Sequence, residues 1–230
     1  MSILSQELFP EIFSELIPRP NTMYFQGDPG LIGQPSVTIV GTRCPSPCGL
    51  AVCKQLVEKL ISHDIVIISG FALGIDICAH RAAMAGGGKT IAVLGSGLDV
   101  RYPQAHHDLK YDIIQTGLLL SEYSAGTRPR PEHFPKRNRL LAALADEVIV
   151  IECRKKSGTM ITTDYAIDLG KPVHAVPGRI TSELAQGPNQ LIQDGANPII
   201  DVDLFVDEYL RRNHVRKSSH RRVSIQSQDD

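Results

Sequence analysis

The chain has 230 residues, enough to bury a substantial core as one domain with short appendages. Hydrophobic residues make up 42% and charged residues 21%, and 24 Lys/Arg against 25 Asp/Glu leave a net charge of −1. That balance excludes a global attraction to nucleic acid or to an anionic membrane, so any polyanion site must be a local patch.

The chain opens "MSILSQELFPEIF", with Glu7 and Glu11 where a signal peptide needs a basic start and an apolar block. No apolar run approaches the roughly 20 residues of a membrane span, and the expected location is the cytoplasm. Residues 1–35 are rich in proline and turn formers and read as an N-terminal extension packed on the core. Apolar, β-branched runs then recur: "VTIV" (37–40), "IVIIS" (65–69), "TIAVLG" (90–95), "LLLSEY" (118–123), "VIVIEC" (148–153) and "PVHAVPG" (172–178). They are continuous rather than alternating, as in strands buried on both faces of a parallel sheet. Helical patterns separate them, including "LAVCKQLVEKLISH" (50–63), "HFPKRNRLLAAL" (133–144) and "TTDYAIDLG" (162–170). Such alternation predicts an α/β fold, a mostly parallel open sheet with helices on both faces. The core is expected over 36–210. From Arg211 the chain turns basic and polar ("RRNHVRKSSHRR", then "SIQSQDD"), and 211–230 is read as a disordered tail. No internal repeat is visible.

Five cysteines (Cys44, Cys48, Cys53, Cys78, Cys153) lack a disulfide-framework spacing. Cys44 and Cys48 resemble half a metal site, but no nearby Cys/His pair completes it, so no metal is expected and the thiols are read as reduced.

In an open α/β sheet, ligands bind outside the carboxyl ends of the strands. Here those ends read "GTRCPSPCG" (41–49), "SGFALGID" (69–76), "GSGLD" (95–99), "EYSAGTRPRPEHFPKRNR" (122–139) and "CRKKSGT" (153–159). Glycine amides, hydroxyls and guanidinium forks are what phosphate oxygens accept from, so Gly41, Thr42, Ser69, Gly70, Ser157, Gly158 and Thr159 become candidate phosphate contacts. Known phosphate-binding fingerprints fail, however. "GGGKT" (86–90) has Ala83 where a P-loop needs its first glycine, and it lies after a helix and before a strand. "GTRCPSPCG" has Arg43 in place of the second glycine of a dinucleotide fingerprint, and "GSGLDV" lacks the third, so no nicotinamide or flavin cofactor is expected. Asp76 and His80, four apart, are read as structural hydrogen-bonding groups because no nucleophile elbow accompanies them, and His106 and His107 as solvated.

The segment 128–139 holds five cations (Arg128, Arg130, Lys136, Arg137, Arg139) and one acid, Glu132, against about one cation at the chain's average density. Its last three cations fall in the first turn of a helix, where the positive end of the dipole disfavours them unless an anion sits between. A solvated charged face is the usual meaning of such a run. Placement at a helix start, at the ligand end of a strand and beside the Arg43 loop favours a binding site instead.

These blocks, in this order, resemble the DNA-processing protein A family (DprA, also called Smf). The resemblance runs from about Met23 to Ile200 through "MYFQGDPGLI", "VTIVGTR", "ISGFALGIDICAHRAAMAGGGKTIAVLGSGLDVRYP", "LLLSEYSAGTRPRPEHFPKRNRLLAALADEVIVIEC", "KSGTMITTDYAIDLGKPVHAVPG" and "GPNQLIQDGANPI". It implies an extended Rossmann-like domain that binds single-stranded DNA, protects incoming DNA during natural transformation and loads the RecA recombinase, usually as a homodimer and with no assigned catalytic reaction. By the same resemblance Arg43, Lys136, Arg137, Asn138 and Arg139 would hold the DNA backbone, with Phe134 close by. Many relatives carry a helical domain in front and a winged-helix module behind, where this chain has about 35 residues and a polar tail.

The expected mechanism is a non-enzymatic one: a positive groove tracks phosphates without sequence readout, with Phe134 or Phe71 as sparse stacking surfaces. The rival is a nucleotide phosphoribohydrolase of the Lonely Guy kind. Ser157, Gly158 and Thr159 suit its glycine-rich turn, but Ile161 and Thr162 stand where its acid is needed. A small-nucleotide sensor using the same pocket is the third reading.

Overall fold

The computed structural model describes residues 2–4 and 6–213. A single nine-stranded sheet runs in the order β1-β2-β6-β5-β4-β3-β7-β8-β9. Its strands are β1 (Ser2–Leu4), β2 (Met23–Gly27), β3 (Ser36–Val40), β4 (Val66–Ser69), β5 (Thr90–Leu94), β6 (Leu118–Ser121), β7 (Glu147–Val150), β8 (Val173–Ala175) and β9 (Asn197–Pro198). The seven strands from β6 to β9 pair in parallel; β1 and β2 pair antiparallel, β2 against β6. Residues 2–35 therefore do more than pack on the sheet: they supply two of its strands.

Helices cover both faces. They are α1 (Pro47–Ile61), α2 (Ile75–Ala85), α3 (His107–Thr116), α4 (His133–Leu144), α5 (Gly158–Asp168), α6 (Gln186–Gln193) and α7, residues 202–213. The apolar strand runs alternate their burial between two layers. Val40, Ile68, Val93, Leu120 and Val150 pack with Leu140, Leu141 and Leu144 of α4 on one face. Val37, Ile39, Ile67 and Ile149 pack with Leu56 and Leu60 of α1 and Phe205 and Tyr209 of α7 on the other, where α3 covers Ala92 and Leu119. This is the expected extended Rossmann-like class, and every residue of β3 through β8 is buried, as parallel strands between helices must be.

Two boundaries move for identifiable reasons. Helix α1 starts at Pro47 rather than at residue 50, because the Ser46 hydroxyl accepts from the Gly49 N–H (3.0 Å) and proline suits the first turn. Helix α7 runs through residues 211–213, so the basic segment does not begin as tail. Arg212 is spent on a buried acid: its guanidinium donates to both oxygens of Glu147 (3.0 Å each), and His174 Nε2 lies 2.7 Å from the same carboxylate. Burial alone would push that carboxyl up, but His174 and Arg212 outweigh it and hold it below its ordinary range. The rest of the expected tail, 214–230, lies outside the described residues.

The chain builds β3, β4, β5 and β6 outward in one direction, then returns to lay β7 on the other side of β3. The loops after β3 and β7 consequently diverge at their carboxyl ends, and a crevice opens between them.

Candidate nucleic-acid interface

The crevice is a cleft of about 950 Å3. Its floor depends on two glycines. A side chain at Gly41 would stand 2.6 Å from Ile75, and one at Gly74 (φ +83°) would stand 2.3 Å from the Thr42 carbonyl. Without those carbons the β3–α1 loop lies directly on the start of α2, and the Ile75 N–H donates to the Thr42 carbonyl (3.2 Å). From the other side the Thr42 N–H donates to the Glu152 carbonyl (2.6 Å), while the Glu152 carboxylate accepts from the Ser46 N–H and hydroxyl (2.9 and 2.6 Å). The loop carrying Arg43 is thus clamped between β7 and α2.

Five cations line the cleft, Arg43, Arg130, Arg137, Arg154 and Lys156, with Asp76 as the one carboxylate among the described lining residues. The first turns of α1, α4 and α5 contain no acid. Residues at or beside the starts of these helices, Cys44, Phe134 and Gly158, line the cavity, so the positive ends of helix dipoles add to the side-chain charge. Arg43 is exposed, with its guanidinium 5.5 Å from the Phe134 ring centroid. Tyr102 meets the same ring at 5.7 Å, so the cleft has an aromatic wall with a cation over it.

Arg137 is different in kind. It is buried, and one terminal nitrogen donates to the carbonyls of Gly70 and Val93, at the ends of β4 and β5. Burial lowers its pKa to about 10, against the attraction of Asp76. Burial likewise pushes the Asp76 carboxyl up to about 6, opposed by Arg137 and by the Ala72 N–H, which donates to it at 3.2 Å. Arg137 remains a cation at neutral pH, tied to the strand ends as the positive floor of the cleft. Next to it, Asn138 donates to the Gly158 carbonyl (3.0 Å) and the Thr159 hydroxyl donates to the Gly41 carbonyl (3.2 Å), stitching α4 and α5 to the β3 loop.

Of the residues expected from sequence, Gly41, Thr42, Arg43, Phe134, Arg137, Asn138, Ser157, Gly158 and Thr159 all line this cleft. Several others do not. Arg139 is a correction: it has no exposed side-chain surface and grips Glu122 with two guanidinium nitrogens at 2.6 Å each, so the anion beside it is a carboxylate of the protein itself. Ser69 is fully buried, its hydroxyl donating to the Ile39 carbonyl (2.6 Å), and Gly70 lies beneath Arg137. Neither is positioned to touch a ligand. Phe71 leaves β4 with a left-handed backbone (φ 57°) that tucks its ring into the α3 layer, 2% exposed, so it cannot stack on a base. Arg128 is exposed but outside the lining, and Lys136 faces a separate depression. Asp76 and His80 do not act as a pair: His80 Nδ1 is bonded to the Thr90 hydroxyl (2.7 Å).

Residues missed from sequence are Tyr102, Arg154 and Lys156, whereas Arg130, already part of the basic segment 128–139, lines the cleft. Arg154 and Lys156 belong to "CRKKSGT", visible as a strand end; their signal was a run of three cations immediately after a buried strand.

The fold has counterparts among known proteins. The DNA processing protein DprA of Streptococcus pneumoniae is 42% identical over 190 residues, covering 83% of this chain and 67% of its own length. That of Bacillus subtilis is 35% identical over 211 residues, covering 91% and 71%. The solved structure of the S. pneumoniae protein superposes with a TM-score of 0.83 at 39% identity, over 88% of this chain and 72% of that one. A structure of DNA processing protein A from Helicobacter pylori, described for its single-stranded DNA binding mode, gives 0.85 at 35% identity, over 92% and 96%. A molybdenum cofactor carrier protein and a molybdenum cofactor binding protein, at 15% and 16% identity, share the fold alone. Residues 1–210 match the family profile described as DNA recombination-mediator protein A, and the chain belongs to that family.

Proposed function

We propose that this protein binds single-stranded DNA through its phosphodiester backbone in the cleft between β3 and β7, without sequence readout, and as a recombination mediator passes it to the RecA recombinase. The observation that carries the reading is the charge arrangement: five cations and several helix N-termini around one cavity whose lining holds one carboxylate, with Arg154 and Arg130 also paired to Glu183 and Glu132 (2.9 and 4.0 Å) at its rim. Arg43 and Phe134 suit a strand whose phosphate meets the guanidinium while a base lies against the ring. The H. pylori relative, whose structure is described for its single-stranded DNA binding mode, supports the same ligand. Assembly as a homodimer in the cytoplasm completes the reading; among the described residues no helix is long and apolar enough to cross a membrane.

The protein acts in this reading as a binder rather than an enzyme. A phosphoribohydrolase needs a carboxylate facing the glycosidic bond, but Ile161 and Thr162 occupy that stretch of α5, and Asp76 lies against Arg137 and the Ala72 amide. Four phosphates neutralised in the cleft would give a slope near −3 in log affinity against log salt, roughly −0.7 per phosphate. Replacing exposed Arg43 by alanine is expected to weaken binding of all single-stranded sequences alike and to flatten that slope by about 0.7. A salt titration by fluorescence anisotropy checks it, and an unchanged slope refutes the assignment.

A further inference from the structure

The first turn of α4 is a ridge between two concavities. Pro135 and Arg137 face the main cleft, whereas Lys136 and Arg139 line a second depression of about 310 Å3 on the other side. Three pieces of chain wall it: residues 18–24, residues 122–124 after β6, and α4 itself. Arg139 holds those pieces together, donating through Nε to the Pro18 carbonyl (2.9 Å) and through its terminal nitrogens to both Glu122 oxygens. The one acid among the described residues lining the depression is thereby neutralised.

Arg19 and Lys136 are exposed, and the charged group of neither has an ion-pair or hydrogen-bond partner among the described residues. In the same wall Tyr123 stacks on His133 (4.0 Å, 19° between planes), and its buried hydroxyl has no hydrogen-bond partner. A buried hydroxyl left unpaired is costly, and the two uncompensated cations lining the same depression favour a ligand that is anionic and accepts hydrogen bonds. Consecutive residues of α4, Pro135 and Lys136, line the main cleft and this depression respectively.

We infer that a single strand leaving the main cleft crosses the first turn of α4 and places a further stretch of phosphodiester backbone in the depression, on Arg19 and Lys136. The N-terminal segment is then part of the DNA-binding surface as well as of the sheet. The inference rests on the backbone-binding reading of the main cleft, and oligonucleotide length separates the two. A strand of about 4 nucleotides fills one concavity, whereas one of about 20 reaches both.

The test is fluorescence anisotropy of the full chain with short and long oligothymidylates, on the wild type and the variants Arg19→Ala, Arg19→Glu and Arg43→Ala. Arg19→Ala is expected to leave short-strand affinity within about twofold, to weaken the long strand about 3- to 10-fold and to reduce its salt slope by about 0.7; Arg19→Glu should exceed it. Arg43→Ala should weaken both lengths. Long-strand binding untouched by either Arg19 variant overturns the second subsite alone, as does an equal loss at both lengths. Absence of binding by the wild type at either length would instead remove the reading of the main cleft. Because Arg19 is exposed and its guanidinium has no ion-pair or hydrogen-bond partner among the described residues, matched thermal unfolding of its variants is the control on folding.

Discussion

The Arg139–Glu122 pair should be architectural, and its removal should damage the fold more than the chemistry. Replacing Arg139 by methionine keeps much of the side-chain volume but leaves the Glu122 carboxylate, 12% exposed, without its bidentate partner. It also strips the Pro18 and Lys136 carbonyls of a donor each. Breaking one side of a buried pair costs about 3–5 kcal/mol, a large share of the 5–15 kcal/mol that holds a domain together. For a chain of this size that corresponds to a fall of roughly 6–20 °C in melting temperature. Adding Glu122→Leu should recover most of the loss, because the uncompensated charge goes with it. Urea unfolding of the wild type, both single variants and the double variant closes the cycle. A loss under about 1 kcal/mol for Arg139→Met, or a double variant no more stable than the single, would refute the reasoning; so would folded Arg139→Met protein whose short-strand affinity collapses.

Two predictions concern pH. Asp76 holds its proton to about 6 in the folded protein, above its ordinary value, so protonation favours folding as pH falls through about 6 and removes a negative charge from the cleft floor. Short-strand affinity should therefore rise between about pH 7.5 and 5.5 and be flatter for Asp76→Asn; identical pH profiles for the two proteins would contradict this. Glu147 has the opposite sign: its depressed pKa contributes stability that is present above the ordinary carboxylate range and is lost as pH falls through the folded value. Glu147→Gln should cost about 1.5–3 kcal/mol at neutral pH and speed amide exchange in residues 202–213, measured by hydrogen–deuterium exchange mass spectrometry.

Much of the core was legible because a strand buried on both faces needs a continuous apolar run, and each run from β3 to β8 supplies one. Strands β1 and β2 were not legible. "SIL" is too short to carry a period, and "MYFQG" is half-buried at the antiparallel edge, where local pattern does not say which sheet a segment joins. The cations of α4 illustrate the same limit at the site. Lys136, Arg137 and Arg139 are near neighbours in sequence, yet one reaches solvent, one lies under the cleft and one is sealed against Glu122. A helix turns about 100° per residue, so three cations in one turn point three ways, and a charge run cannot say which of them meets a ligand.

By itself the sequence determined the fold class and the family, since each depends on local residue pattern or on the order of whole blocks. Tertiary structure alone decided which charges are free. The return of the chain to lay β7 beside β3 brings Lys156 to Arg43, across more than a hundred residues, and the placement of Glu122 and Pro18 takes Arg139 away. A cation is available to a ligand only where the fold has not already supplied its counter-charge, and that is settled by distance in space.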